Sequence, residues 1–367
     1  MLIVLAAMAI GLARDSGPPR LRLTPVGFDG LPGWSGADFA AVLPVFLKSC
    51  ARFSKEPEKL AFGPVDSGVD YGRIEDWLAA CREAAAAPAN DEAAARRFLE
   101  SAFTPMAVSD YGNLEGLFTG YFEIELNGSR HPHGKYQTPI YRRPPALGAG
   151  PRYSRAEIED GALAGRGLEL LWVEDPVDAF FLQIQGSGRI RLEDGSVVRV
   201  GYDGQNGLPY VAVGRLLLEQ GAISRDKLTM ASIQAWMRVH PKAAAALRRE
   251  DPSYVFFRVV KGDGPIGAER VALTPQRSLA VDRAYIPLGV PVWLAADEQF
   301  LPNMQVRRLV VTQDTGGAIK GPVRGDLFWG AGSAAGDRAG EMDARGRYYL
   351  LLPRAVADRL ASEEARR

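Results

Sequence analysis

Leu117-Phe118-Thr119-Gly120-Tyr121-Phe122-Glu123-Ile124-Glu125 is where the chain changes its period. Upstream, apolar residues recur at helical spacing; from Leu117 they alternate with polar ones, the pattern of a strand with one buried face. Working outward toward the N-terminus, three helices are predicted. They are Ala37 to Phe53 with Pro44 as a kink, Arg73 to Ala86 with Ile74, Trp77, Leu78 and Cys81 on one face, and Asp91 to Phe103 capped by Asn90. Toward the C-terminus, Phe180 to Gln185 reads as a strand, as do Arg189 to Glu193 and Val197 to Tyr202, joined by the hairpin signal Asp194-Gly195. Ser154-Arg155-Ala156-Glu157 is a capping box. Helices are predicted at Pro209 to Gln220 and Leu228 to His240, with a further turn or two to Arg249, and strands at Tyr254 to Val260, Val290 to Ala295, Val306 to Thr312 and Tyr348 to Leu352. With 40 Gly and 25 Pro suiting a turn-rich body, the expectation is a mainly β core with flanking helices.

A length of 367 residues suggests two domains. Lys and Arg number 44 and so do Asp and Glu, so no global field steers the protein to a polyanion and nucleic acid is not an expected partner. Met1 to Ala13 is apolar and uncharged, then gives way to Arg14-Asp15-Ser16-Gly17. That run is shorter than the roughly 20 residues of a membrane span but suits a secretory core segment, with Gly11 and Ala13 before a cleavage point. The expectation is a signal segment over residues 1–16 and export to the periplasm or the periplasmic face of a membrane, with a buried N-terminal strand as the alternative. No Cys stands near that junction to mark a lipid anchor. Cys50 and Cys81, 31 residues apart, have neither CxxC nor zinc-ribbon spacing. In an exported chain one disulfide between two N-terminal helices is the simplest reading, and a pair of buried free thiols is the other.

Several motifs are set aside. Gly262-Asp263-Gly264-Pro265-Ile266-Gly267 satisfies G-x-G-x-x-G, but Pro275 cuts off the helix that a dinucleotide site needs. His131, His133 and His240 lack metal-ligand spacing, and Gln185-Gly186-Ser187-Gly188 is not a nucleophile elbow. No metal and no cofactor are expected.

What remains is carboxylates among glycines and aromatics. Asp314-Thr315-Gly316-Gly317-Ala318-Ile319-Lys320-Gly321 follows the apolar Leu309-Val310-Val311, and Asp326-Leu327-Phe328-Trp329-Gly330 comes next. Glycines let a ligand approach the backbone, and aromatics offer stacking faces and low dielectric. A carboxylic acid that protonates a leaving oxygen near neutrality must be held above its ordinary pKa of about 3.9, which desolvation does. Asp326 is the better candidate acid; Asp314 could equally brace a loop. Either could be a plain turn aspartate.

Taken together, Thr119 to Glu123, Gly128-Ser129-Arg130, Pro139-Ile140-Tyr141, Gln185 to Gly188, Tyr202 to Asn206, Tyr254 to Phe257, Asp282-Arg283 with Ile286-Pro287, Asp314 to Gly321 and Asp326 resemble the membrane-bound lytic murein transglycosylase A family, in order from about residue 115 to 352. The resemblance implies a double-psi β-barrel domain from residues 20–123 and 259–360, its three-aspartate region at about 275–352 holding Asp282, Asp314 and Asp326. It further implies an inserted second β domain at 124–258 and a glycan groove between the two. The implied activity is cleavage of the β-1,4 bond between N-acetylmuramic acid and N-acetylglucosamine in peptidoglycan, forming 1,6-anhydromuramyl products with Asp326 as sole acid and base. By the same resemblance Asp314 supports catalysis, Thr119, Tyr121, Gln185 and Ser187 line the groove, and the protein acts as a monomer on glycan strands. Glu123 stands where some relatives carry a neutral hydroxyl residue. The rival readings are an inverting glycosidase using Asp326 and Asp314, and a non-catalytic binding protein for cell-wall glycan.

Overall fold

The computed structural model describes residues 21–56, 61–64, 67–145, 152–262, 264–298, 305–316, 319–364 and 366; the apolar run Met1 to Ala13, read above as a signal segment, lies outside them, as do Gly317 and Ala318. In chain order come β1 (Leu21–Pro25), α1 (Leu43–Phe53), α2 (Ile74–Ala86), α3 (Glu92–Ala102), β2 (Phe103–Asp110), β3 (Gly116–Ser129), β4 (Thr138–Tyr141), α4 (Arg155–Glu159) and β5 (Glu169–Val173). They are followed by α5 (Pro176–Gln185), β6 (Ser187–Leu192), β7 (Val197–Gln205), α6 (Val213–Glu219), α7 (Met230–Val239), α8 (Pro241–Arg249), β8 (Val255–Val260) and β9 (Ser278–Val281). The chain ends with β10 (Pro291–Glu298), β11 (Gln305–Asp314), β12 (Arg324–Ala331), α9 (Ser333–Glu341), β13 (Asp343–Pro353) and α10 (Arg354–Glu364). Helix and strand are present in comparable amounts, so the mainly β expectation is corrected to a mixed fold: the glycines and prolines punctuate helices as well as strands.

Two compact units divide the chain. The first comprises Met1–Leu117, Val281–Gly325 and Ala344–Arg367; the second comprises Phe118–Ala280 and Asp326–Asp343.

In the first unit the sheet runs β1-β2-β13-β10-β11, all antiparallel, and α1 to α3 and α10 supply the helices. Pro44 sits in the first turn of α1, where its missing N–H costs nothing, so it opens the helix instead of kinking it. The cap of α3 is Asp91, whose carboxylate accepts from the Ala94 N–H at 2.8 Å, while Asn90 takes a left-handed φ of 59° one residue earlier. Trp77, fully buried, packs on Phe53 and Phe62 and donates its indole N–H to the Tyr71 carbonyl at 3.0 Å. Cys50 on α1 and Cys81 on α2 are joined in a disulfide with Cα atoms 5.5 Å apart, as the export reading expects.

In the second unit β12, β3, β6, β7 and β8 are successive neighbours, with β3 and β6 parallel; β5 pairs with the far end of β3, and β4 with β5. Asp194-Gly195 turns β6 into β7, with Gly195 at φ 81°. Phe180 to Gln185 is not a strand: it is the end of α5, opened by Asp175 and Pro176 and closed by Gly186 at φ 76°. Phe180, Phe181 and Leu182 are all buried, and an apolar run buried on every side carries no period to separate helix from strand. Those side chains join Ile124, Leu126, Ile190, Val200, Met237 and Phe257 in one core. Arg155 pins α4 to that core. Its guanidinium donates to the Asp251 and Ser253 carbonyls at 3.0 and 2.6 Å and lies over the Phe180 ring.

Candidate functional site

Side chains alternate along a strand, so Thr119, Tyr121, Glu123 and Glu125 share one face of β3, and Asp326 and Phe328 share one face of β12. The two strands are hydrogen-bonded neighbours, and the faces coincide. The Thr119 hydroxyl donates to the Asp326 carboxylate, and two residues on the Tyr121 ring rests 5.3 Å from Phe328 at an angle of 48°. Asp326 is thus a half-buried strand residue, not a turn aspartate.

Gly120, between Thr119 and Tyr121, points the other way. A Cβ there would stand 2.6 Å from the Trp329 indole nitrogen and 2.8 Å from the Ala339 Cα, so only glycine lets β12 and α9 close on β3. Trp329 in turn donates to the Met342 sulfur at 3.3 Å, and the Gly332 N–H donates to the Glu123 carbonyl at 3.1 Å. The strand that carries Asp326 is therefore held along its length.

Glu123 itself is 1% exposed. Burial pushes its carboxyl above the usual glutamate range; Arg199 and Arg189 pull it back, and Glu125 adds to the upward push. Arg199 Nη2 lies 3.4 Å from Glu123 Oε2 without the alignment of a hydrogen bond, so the two form an ion pair and nothing tighter. The Arg199 Nη1 donates to the Gly262 carbonyl at 3.1 Å. This buried pair was not foreseen from the sequence. Its signal was the period-two placement of Arg189, Arg191 and Arg199 across the predicted hairpin.

The remaining candidates divide between the units. Gln185 closes α5 and its amide reaches the Met230 sulfur at 3.4 Å; Ser187 opens β6 opposite Gly201, on the β-sheet face that carries Arg189. Both belong to the second unit with Thr119, Tyr121 and Asp326. Asp282 and Asp314 belong to the first. Asp282, 7% exposed, accepts from the Ala284 and Gly321 N–H groups at 3.1 and 2.8 Å and so organises two turns. Burial pushes the Tyr348 hydroxyl well above its ordinary range, and the Asp282 charge adds to that shift. Asp314 is the last residue of β11; beside it the Thr315 hydroxyl donates to the Val281 carbonyl at 2.9 Å. His133 bonds Ser129 at 3.1 Å and His240 stacks on Trp236. Among the described residues no cluster of His, Cys, Asp or Glu could hold a metal ion, and no helix is long and apolar enough to cross a membrane.

Two sequence families match the chain: the MltA specific insert domain over residues 117–258 and the 3D domain over residues 277–352. Membrane-bound lytic murein transglycosylase A of Escherichia coli K12 is 34% identical over 289 residues, covering 77% of this chain and 75% of that protein. Among solved structures, the lytic transglycosylase LtgG of Burkholderia pseudomallei is 42% identical with a TM-score of 0.65, over 92% of this chain and 98% of its own. E. coli MltA with bound chitohexaose is 30% identical with a TM-score of 0.68, over 91% and 94%.

Proposed function

The chain belongs to the membrane-bound lytic murein transglycosylase A family, and from that premise we propose that it is a peptidoglycan lytic transglycosylase. It cleaves the β-1,4 bond between N-acetylmuramic acid and N-acetylglucosamine without water and leaves a 1,6-anhydromuramyl end. The observation that carries the reading is the Thr119 hydroxyl bound to the Asp326 carboxylate, beside the Tyr121 and Phe328 rings.

Hydrolytic glycosidases divide the work between two carboxyl groups. An intramolecular ring closure needs one. With one carboxyl oxygen of Asp326 accepting from the Thr119 hydroxyl, the other delivers the acid's proton to the glycosidic oxygen as the C1–O bond breaks. The resulting carboxylate then takes the proton of the muramyl C6 hydroxyl as that oxygen closes on C1. No atom enters or leaves, and Asp326 ends the cycle protonated as it began. Charge developing on the sugar is met by fixed dipoles or by the substrate's own N-acetyl oxygen.

In this reading Thr119 orients the acid, Tyr121, Gln185 and Ser187 contact the glycan, and Asp314 supports the reaction. The chitohexaose bound by the E. coli relative supports a glycan ligand. Residues 20–123 and 259–360 form a double-psi β-barrel domain and residues 124–258 its insert; the protein is exported to the periplasm and acts as a monomer. The test is the mass of the muropeptides released from murein. Products one water lighter than the hydrolysis products bear the proposal out. Reducing ends would make the enzyme a hydrolase, and binding without release would make it a glycan-binding protein.

A further inference from the structure

The sheet face that carries Thr119 and Tyr121 continues across β6, β7 and β8 and changes character as it does so. Directly paired residues on neighbouring strands point the same way. Glu125 pairs with Arg189, Arg189 with Arg199, and Gly201 with Arg258, which puts Arg189, Arg191, Arg199 and Arg258 on that face; among the described residues the carboxylates ion-paired to them are Glu123 and Glu125. Guanidiniums therefore outnumber carboxylates at this end, whereas the β12 end presents Asp326.

The charges are not exhausted by one another. Glu125 is shared: Arg191 donates to it at 2.6 and 3.0 Å, and Arg189 Nε stands 3.2 Å away without hydrogen-bond alignment. That Arg189 Nε is buried and, among the described residues, has no hydrogen-bond partner. Arg199 is held against Glu123 with 15% of its side chain exposed. Arg258 is exposed and forms no ion pair among the described residues. An excess of guanidinium over carboxylate on one sheet face, with Arg258 exposed and outside every ion pair among the described residues, suits an anion such as a carboxylate.

We propose that the face bearing Arg189, Arg199 and Arg258 binds the carboxylates of the peptide stems carried by muramyl residues, a subsite that rests on peptidoglycan being the substrate. A stem is the anionic branch of an otherwise neutral sugar chain, so attraction at β6 to β8 draws it away from the strand β12 that carries the acid. The same face gives the enzyme a means to distinguish muramyl glycan from chitin, whose sugars carry no such branch.

Equilibrium binding tests this without turnover, using the full chain carrying Asp326→Asn. The probes are glycan strands with intact stems and the same strands stripped of stems by an amidase. Adding Arg258→Glu should weaken binding of stem-bearing strands about tenfold at low salt, less at high salt, and leave stem-free strands unaffected. Arg258→Lys should restore most of the affinity. An equal change on both strand types, or no change on the stem-bearing ones, overturns the stem assignment. The glycan reading is judged separately, by whether the parent protein binds the stem-free strand.

Discussion

The Thr119 hydroxyl and the Asp326 carboxylate, 207 residues apart in the chain, meet as donor and acceptor on neighbouring strands β3 and β12. The contact occupies one carboxyl oxygen and leaves the other open. In the proposed mechanism Thr119 is therefore a positioning residue for the acid.

Thr119→Val keeps the shape and removes the donor. A hydrogen bond to a charged group contributes about 1.5 to 3 kcal/mol, so kcat should fall roughly 10- to 100-fold with little change in melting temperature. Thr119→Ser should recover most of the rate. Steady-state kinetics on purified murein checks it; a Val variant as active as wild type would remove Thr119 from the mechanism.

Asp326→Asn should abolish turnover while leaving the fold and glycan affinity in place. A general acid alone contributes about 10² to 10⁴ in rate, and a group used in both half-reactions belongs at or beyond the upper end. Retention of more than about a tenth of the wild-type rate is too small a loss for that role. Asp314→Asn is the comparison: a supporting residue loses activity together with stability, whereas the base of an inverting hydrolase loses it in a fully folded protein.

Gly120→Ala places a methyl group against Trp329 and the Ala339 backbone. Overpacking of this kind costs about 1 to 3 kcal/mol, and because β12 would move, activity should drop by more than the folded fraction does. Comparing urea midpoints with the specific activity of the folded fraction separates the two effects.

The Glu123 carboxyl holds its proton more tightly in the folded chain than its ordinary pKa of 4.5 implies, burial being the main cause. Its contribution to stability is therefore complete below the unfolded pKa and lost as pH rises through the folded one. Glu123→Gln has no such loss. Its stability relative to wild type should rise between about pH 4 and about pH 7, read from urea unfolding at each. A gap that stays level or shrinks would mean that Arg199 fully compensates the buried charge.

Reducing the Cys50–Cys81 disulfide should lower stability by about 2 to 4 kcal/mol. Activity at low temperature should persist, because neither cysteine belongs to the unit that holds Thr119 and Asp326. Thiol titration before and after reduction, with denaturant melts alongside, provides the check.

Local chemistry was legible where one residue type forces one geometry: Asp194-Gly195 turning β6 into β7, the Ser154 capping box opening α4, and the paired helices bearing Cys50 and Cys81. The strand around Thr119 was legible in the same way, from its alternation of apolar and polar residues. Phe180 to Gln185 was misread because the consecutive burial of Phe180, Phe181, Leu182 and Gln183 erases the period. Asp326 on a strand, and Arg199 against Glu123, could not be read locally, since both depend on which strands become neighbours. A parallel pairing such as β3 with β6 leaves no mark in either segment alone.

The division of the second unit into Phe118–Ala280 and Asp326–Asp343 also sets an order in time. A ribosome adding about 5 to 20 residues per second needs roughly 10 to 40 s to travel from Thr119 to Asp326. Throughout that interval the growing chain holds one half of the pair and none of the other. A truncated product, or a fragment cut anywhere between them and separated, likewise cannot assemble it, so on the proposed mechanism a cell making this protein exposes its wall only to finished copies.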